Sequence, residues 1–277
     1  MMEIKGHLRK MQVSLQSPVH YSLVLDKQNY SLKKAIGQPI SIQYTGQIHC
    51  VHCGKLTKKS YNQGYCFPCL RALAQCDICI MKPEECHYDE GTCREPEWGD
   101  QHCMQPHTVY LSNTSGVKVG ITRNEQIPTR WIDQGAVQAL PIVEVESRYL
   151  SGLVEVELKN YFDDKTRWRA MLQGDVEAID LAEERDDVFE EASMAFEQLQ
   201  ERYGEDALVL LEYEDVVDID YPIQEYPTEI SILSLDKTPF IEGVLKGIKG
   251  QYLILDSGVI NLRKFTAYNV IINGVFE

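Results

Sequence analysis

The stretch HTVYLSNTSGVKVGIT, residues 107–122, decides how the middle of the chain folds. HTVYLS and VKVGIT are rich in β-branched and aromatic residues, which favour strands. The NTSG between them is a turn signal, because Asn, Ser and Gly accept the backbone angles of tight turns. The pattern predicts two antiparallel strands that are joined as a hairpin.

Residues 123–162 extend this hairpin into a compact α/β unit. IPTRWIDQGA predicts a short helix that ends near Gly135, and VQALPIVEVES predicts a third strand. RYLSGLVEVELKNYF follows with an apolar stripe at helical spacing, formed by Leu150, Val154, Leu158 and Phe162. We therefore expect the order strand, strand, helix, strand, helix over residues 107–162.

All nine cysteines of the chain lie upstream of this unit, between Cys50 and Cys103. The stretch CVHCGKLTKKSYNQGYCFPC, residues 50–69, contains two Cys-x-x-Cys pairs at a spacing typical of zinc ribbons. Two such turns supply the four thiolates that structural zinc prefers, and a full set of protein ligands leaves no open position for catalysis. The sequence predicts one structural zinc with the ligands Cys50, Cys53, Cys66 and Cys69.

The remaining cysteines predict a second zinc site. CDICIMKPEECHYDEGTC begins with another Cys-x-x-Cys pair, and further cysteines and a histidine follow it. Several ligand sets remain open, because His87 or the last cysteine could replace one of the others. The set that we expect first is Cys76, Cys79, Cys86 and Cys93, with Cys103 as the next choice.

Charge is distributed unevenly along the chain, whose net charge is -15. Residues 1–103 have 12 Lys and Arg against 10 Asp and Glu, whereas residues 176–277 have 7 against 23. The acidity belongs to the C-terminal third, so it does not exclude nucleic acid as a partner of the rest. An acidic amphipathic helix, or two, is expected within residues 176–203, and this third could bind a protein partner.

The lack of a long apolar run and of a signal peptide in the sequence indicates the location of the protein in the cell. No apolar run approaches the ~18 residues that span a bilayer, so we expect no membrane partner. The N-terminus MMEIKGHLRKMQV has no apolar core of a signal peptide. We therefore expect a cytoplasmic protein, in which cysteines bind metal rather than form disulfides.

The two ends of the chain are predicted to be β-structure. HYSLVLD and PISIQYTGQI near the start, and the glycine-punctuated apolar runs of the last forty residues, are typical of short strands. The expected class is an α+β chain of several domains, with a C-terminal small sheet or barrel. The expected division is an N-terminal β segment (1–48), a zinc-binding cysteine-rich domain (49–104), the α/β core (105–175), an acidic helical segment (176–205) and a C-terminal β domain (206–277).

The α/β core resembles the GIY-YIG nuclease superfamily in the order of its short motifs. Thr108-Val109-Tyr110 stands for the first motif and Lys118-Val119-Gly120 for the second, in which a lysine replaces the tyrosine. Arg130 then corresponds to the helical arginine of that superfamily, and Glu155 to its metal-binding glutamate. The resemblance implies a catalytic site formed by Tyr110, Lys118, Arg130 and Glu155, with Mg²⁺ or Mn²⁺ as a cofactor.

These residue types suit hydrolysis of a phosphodiester bond, the reaction that the resemblance implies. A tyrosine can orient or deprotonate the attacking water, and an arginine can bind a phosphate through two hydrogen bonds. A glutamate is a ligand that Mg²⁺ accepts. A lysine in the second motif binds phosphate as a point charge but lacks the hydroxyl of a phenol.

Nearly the whole chain also resembles an uncharacterised bacterial family, a domain of unknown function. The runs that carry this resemblance are KKSYNQGYCFPC, GTCREPEWGDQHC, VYLSNTSGVKVGITR, RWIDQGA and GIKGQYLILDSGVINLR. From the sequence we therefore expect a zinc-containing, GIY-YIG-like nucleic-acid-processing protein, and specifically a metal-dependent endonuclease. The alternative is a catalytically inactive, zinc-stabilised adaptor that binds nucleic acid or protein.

Overall fold

The computed structural model of the chain describes residues 1–162 and 167–277. Residues 163–166, which belong to the predicted 105–175 domain, lie outside the described residues. The described part is a mixed α/β protein with seven α-helices and three β-sheets.

The strands follow in chain order from the first residues of the chain to the last. They are β1 (Met2–His7), β2 (Gln12–Ser14), β3 (His20–Leu25), β4 (Gln28–Ser31), β5 (Pro39–His49), β6 (Leu56–Thr57), β7 (His107–Asn113), β8 (Val117–Arg123), β9 (Gln138–Val145), β10 (Leu208–Leu210), β11 (Val217–Asp218), β12 (Phe240–Lys249), β13 (Tyr252–Leu255), β14 (Gly258–Asn261) and β15 (Tyr268–Gly274).

The helices lie in the cysteine segment, the α/β core and the acidic segment. They are α1 (Phe67–Ala72), α2 (Pro96–His102), α3 (Thr129–Gln134), α4 (Arg148–Leu158), α5 (Trp168–Gln173), α6 (Leu181–Glu191) and α7 (Ser193–Tyr203). The acidic segment therefore contains two helices, and Asp180 caps the first of them by accepting hydrogen bonds from the amides of Ala182 and Glu183.

The largest sheet joins the two ends of the chain. Its strand order is β1-β15-β5-β12-β13-β14, with β6 paired to β5, and the pairings are antiparallel. A smaller sheet of β2, β3 and β4 contributes Tyr21, Leu23 and Leu25 to the same core. The β structure that the sequence predicts at the two ends thus forms two sheets, the largest one (the terminal sheet) and the smaller one, with a shared core.

The middle sheet has the order β10-β9-β7-β8, with β11 paired to β9. β7 and β8 form the predicted hairpin, and their pairing sets Tyr110 opposite Gly120. The short helix α3 follows as expected, and Gly135 ends it with a φ of 75°, in the left-handed region that suits glycine. Ser147 caps the N-terminus of α4, because its hydroxyl accepts a hydrogen bond from the amide of Leu150.

All 7 residues of the central strand β7 are buried. Because successive residues of a strand point to opposite faces, both faces of β7 are covered. Val109 and Leu111 pack in the core that α4, α6 and α7 cover. Tyr110 lies on the other face and joins the core of the terminal sheet together with Trp131. The α/β core is therefore packed directly against the terminal sheet.

The cysteine segment packs against α4 at Gly152. A Cβ at Gly152 would lie 2.5 Å from the amide nitrogen of Glu84 and 2.6 Å from Cβ of Pro83. Only a residue without a side chain permits so close an approach. The cysteine segment is thus packed directly against α4.

Candidate functional site

The first cysteine cluster is formed by Cys50, Cys53, Cys66 and Cys69. Their four sulfur atoms lie within 4.8 Å of one another, and those of Cys53 and Cys66 are 3.7 Å apart. Tetrahedral zinc with Zn–S bonds of about 2.3 Å separates its sulfur ligands by roughly 3.8 Å. The cluster therefore has the donors and the spacing of a structural zinc site.

Hydrogen bonds around Cys50 favour its thiolate form. Burial acts to raise the pKa of the Cys50 thiol, but the backbone N–H groups of Cys53, Cys66 and His52 donate to its sulfur. These hydrogen bonds outweigh burial and lower the pKa to about 6. Nδ1 of His52 also lies 3.7 Å from the sulfur of Cys69. Burial and hydrogen bonds with the other three thiols raise the pKa of Cys69, so the hydrogen bonds that favour a thiolate are those at Cys50.

The other five cysteines are divided between two places. Cys76 packs against the first cluster, beside Tyr65. Cys79 lies with Asp77 and His87 in a second group whose ligand atoms are within 4.8 Å of one another. Asp77 is ion-paired there with Arg94 at 2.7 Å.

Cys86, Cys93 and Cys103 lie in the same segment as that second group. Cys86 ends the 3-10 helix Pro83–Glu85, and Cys103 ends α2. The sulfur of Cys93 lies 3.6 Å from the position of a Cβ on Gly99 of α2. The second zinc and its ligands stay a prediction, and Cys76 of the expected set packs against the first cluster.

A cleft of about 570 Å³ opens where the cysteine segment, the α/β core and the terminal sheet meet. Lys118, Arg130 and Glu155 line it from β8, α3 and α4, respectively. Three residues that the sequence singles out as site residues are thus brought to one cleft from three separate elements.

Tyr110, the fourth of those residues, lies behind the cleft and is fully buried. Its hydroxyl donates a hydrogen bond of 3.0 Å to Oε1 of Gln134, which lines the cleft. Burial raises the pKa of Tyr110 to about 12, although the nearby charge of Arg130 opposes this. The hydroxyl is therefore held by Gln134 and Arg130 in a place where burial disfavours the loss of its proton.

Glu155 presents its carboxylate to the cleft from the middle of α4. Leu150, Val154 and Leu158 occupy the buried face of the helix, and the side chain of Glu155 is 16% exposed. Nζ of Lys159, one turn later, lies 3.6 Å from its Oε2. Glu157, two residues along, is exposed and does not line the cleft.

The cleft has more positive than negative side chains, in contrast to the chain as a whole. Asp133 and Glu155 are its carboxylates, and its basic residues are Lys10, Lys118, Arg123, Arg130, Arg148 and Arg263. Lys10 forms an ion pair with Asp133, and Arg123 with Glu125. Within the described residues, none of the ion pairs involves Arg130, Arg148 or Arg263. This excess of positive charge is suited to an anionic ligand.

Residues 37–270 match the family described as Protein of unknown function (DUF2797). The chain belongs to this family. No curated protein and no solved structure matches the chain. Among the described residues, no helix is both long and apolar enough to cross a membrane.

The DUF2797 region includes every cysteine and every cleft residue except Lys10. It also includes Arg148 and Arg263, two cleft residues that the sequence analysis did not identify. Arg148 precedes Glu155 by about two helical turns, so their shared face was a usable signal. Arg263 is far from the core in sequence, and only the packing of the terminal sheet brings it to the cleft.

Proposed function

We propose that this protein processes nucleic acid and hydrolyses phosphodiester bonds in the cleft, with Glu155 as the ligand of a divalent metal ion. Lys118, Arg130 and Glu155 come from three elements and yet line one cleft, and this convergence carries the proposal. The residues are those that correspond to the GIY-YIG motifs. The zinc cluster has a structural part in this proposal.

The charges around the cleft support a phosphate-containing substrate. Phosphodiesters carry negative charge, and guanidinium groups bind their oxygens through two parallel hydrogen bonds. Arg130 is partly buried and lines the cleft beside Lys118. In the proposed function Arg130 holds the reacting phosphate and stabilises the charge that develops on it, and Lys118 adds a second positive charge.

The donor set at Glu155 fits a weakly held Mg²⁺ or Mn²⁺. Mg²⁺ is commonly bound by one or two carboxylates together with substrate phosphates and water. Such an ion, when bound, neutralises phosphoryl charge and lowers the pKa of a coordinated water. Lys159 lies 3.6 Å from Glu155, so it competes with a metal for that carboxylate in the free protein. We therefore expect metal and substrate to bind together.

Tyr110 acts in this proposal through other residues. Its hydroxyl donates a hydrogen bond to the side chain of Gln134 at the edge of the cleft. The charge of Arg130 also acts on this hydroxyl. Because burial raises the pKa of the phenol to about 12, Tyr110 is not assigned the proton of the attacking water in this proposal. Tyr110 is then a positioning residue.

The proposal is tested by nuclease assays with Mg²⁺ or Mn²⁺ on labelled single-stranded DNA, single-stranded RNA and duplex DNA. We expect cleavage by the wild type and by Glu157→Gln, whose exposed side chain lies on the same helix outside the cleft. Glu155→Gln should lose about a hundredfold or more in rate, because the loss of a direct ligand should cost at least as much as the roughly 10–100-fold loss typical of outer-shell partners. The nuclease proposal fails if Glu155→Gln cleaves as fast as the wild type, or if the wild type is inert on all substrates.

The second candidate function is a zinc-stabilised adaptor that binds nucleic acid or protein without hydrolysing it. It is favoured by the full burial of Tyr110 and by the lysine in the second motif. The acidic helices α6 and α7 would offer a surface for a protein partner in this case. Binding of a labelled strand by the wild type, with no cleavage under any metal condition, would support this function over the first.

A further inference from the structure

Arg263 reaches the cleft from outside the unit that contains Glu155. It follows β14 of the terminal sheet, in the 3-10 helix Leu262–Phe265. Its Nε donates a hydrogen bond to Oε1 of Gln63. Gln63 lies between the second and third cysteines of the zinc cluster, so the cysteine segment holds this guanidinium in the cleft.

Arg148 reaches the cleft from the first turn of α4, and the cysteine segment holds it as well. Its Nη2 donates to the carbonyl oxygen of Ile80 at 2.6 Å, and its backbone nitrogen donates to that of Cys103 at 2.8 Å. Its Nε is buried and has no hydrogen-bond partner in the described part of the chain. The guanidinium is therefore fixed by the protein while one of its donors is left over.

Arg130, Arg148 and Arg263 repel one another in the free protein. Burial lowers the pKa of Arg148 and of Arg263, and the charge of Arg130 lowers both further. Clustered like charges cost free energy unless an anion neutralises them. Asp133 already accepts from Lys10 and from Gln251, so it compensates only part of this charge. Such a cluster is suited to a ligand that brings more than one negative charge.

We propose that Arg148 and Arg263 bind a phosphate group of a single-stranded nucleic acid, next to the phosphodiester that Arg130 and Glu155 hold in the proposed function. The inference rests on the proposed function for the position of that phosphodiester, but it concerns binding and requires no hydrolysis. Neither Arg148 nor Arg263 belongs to the motifs that suggest catalysis. The cysteine segment and the terminal sheet thereby become parts of the binding site.

The apolar lining of the cleft favours a single strand over a duplex. Tyr65, Ile80 and Met81 line it beside the arginines, and Met81 is 76% exposed. Unpaired bases gain free energy by contact with aromatic and apolar side chains, whereas the bases of a duplex are stacked on one another. In this arrangement one strand runs through the cleft, with its phosphates on the arginines and its bases against Tyr65, Ile80 and Met81.

The inference is tested by fluorescence anisotropy of a labelled 12-nucleotide single strand, as DNA and as RNA, without added divalent metal. Arg263→Gln should weaken binding by at least about tenfold, as expected for a charged hydrogen bond. The plot of the logarithm of the association constant against the logarithm of the salt concentration has a negative slope. Arg263→Gln should reduce the magnitude of this slope by about 0.7, the value for one phosphate contact to a single strand. The matched control is Lys264→Gln, an exposed neighbour outside the cleft, which should bind as the wild type does.

Further arms of the experiment separate binding from folding and from catalysis. Arg263→Lys keeps the charge and should recover part of the affinity, and equal melting temperatures would show that the variants are folded. Glu155→Gln should still bind the strand, so a protein that binds but never cleaves contradicts only the proposed hydrolysis. The inference is overturned if Arg263→Gln and Lys264→Gln bind alike, or if a duplex of the same sequence binds as tightly as the single strand.

Discussion

The ring of Tyr110 lies against the backbone of Gly120 on the neighbouring strand. A Cβ on Gly120 would lie 2.5 Å from Cζ of Tyr110 and 2.6 Å from its hydroxyl oxygen. The two residues face each other in the hairpin and belong to the two motif-like segments of the sequence. The absence of a side chain at Gly120 therefore allows Tyr110 to bury its ring behind the cleft.

Gly120→Ala should destabilise the protein by roughly 1–3 kcal/mol, because an added methyl group overpacks this contact. In the double variant with Tyr110→Leu, the smaller side chain relieves the overlap, so the combined loss should be clearly less than the sum of the single losses. Urea denaturation of the wild type, both single variants and the double variant measures this coupling. Additive losses would mean that the two residues do not contact each other in solution.

The zinc cluster leads to a prediction about metal content. Cys53→Ser should lower bound zinc by about one equivalent per chain and lower the melting temperature, because structural zinc contributes directly to folding. Lys58→Ser is the matched control, since Lys58 is exposed in the loop between Cys53 and Cys66 and is not one of the four ligands. Elemental analysis of purified variants checks both. Equal loss of zinc in the two variants would contradict the assignment of the ligands.

Much of the α/β core could be predicted from the sequence, because its signals are local. The turn signal between β7 and β8, the left-handed glycine after α3 and the apolar stripe of α4 each act within a few residues. The pairing of β1 with β15 joins the two ends of the chain, and strand patterns do not specify such a distant partner.

The candidate site divides in the same way. The sequence predicts Lys118, Arg130 and Glu155 from the order of their motifs, and the four cysteines of the first cluster from their characteristic spacing. The placement of Cys76 beside the first cluster and of Arg263 in the cleft depends on tertiary packing. Local sequence motifs could therefore identify part of the cleft. The charged residues that distant segments contribute to it could be identified only from the fold.

Lys249 leads to a prediction about stability and pH. It is fully buried, its Nζ has no hydrogen-bond partner within the described residues, and the Tyr221 ring centroid lies 5.2 Å away. Burial lowers its pKa from an ordinary 10.5 to about 8. Below pH 8 both the folded and the unfolded chain carry this proton, so the folded state bears the full cost of the buried charge. Between pH 8 and 10.5 only the unfolded chain keeps the proton, so this residue's contribution to stability rises with pH.

Lys249→Met should therefore stabilise the protein near neutral pH, by at most roughly 3 kcal/mol, the amount to which this difference in pKa corresponds. The gain should shrink as the pH rises from 8 towards 10. Denaturation of the wild type and the variant at pH 7 and at pH 9.5 provides the comparison. A gain that is the same at both pH values would show that the ammonium group does not titrate as described.

The contact between Gly152 and the cysteine segment reverses the usual effect of an alanine in a helix. Gly→Ala in an open helix stabilises by about 1 kcal/mol. At Gly152 the new Cβ would meet Glu84 and Pro83, so we expect a net loss of roughly 1–3 kcal/mol. Val156→Ala, on an exposed position of the same helix, should change stability little. Faster hydrogen exchange at residues 78–86 in Gly152→Ala would show that the segment has separated from α4, and unchanged exchange there would contradict this contact.

The position of the bound strand tests the account most directly, because the proposed hydrolysis and the proposed phosphate contacts of Arg148 and Arg263 both place the strand in the cleft. The measurement is photocrosslinking of a single strand that contains 4-thiouridine, followed by mass spectrometry of the crosslinked peptides. We predict crosslinks to peptides with Tyr65 and Met81, at yields that fall in Arg263→Gln and not in Lys264→Gln. Crosslinks confined to other exposed aromatic residues, such as Tyr213, or yields unaffected by Arg263→Gln, would contradict the account.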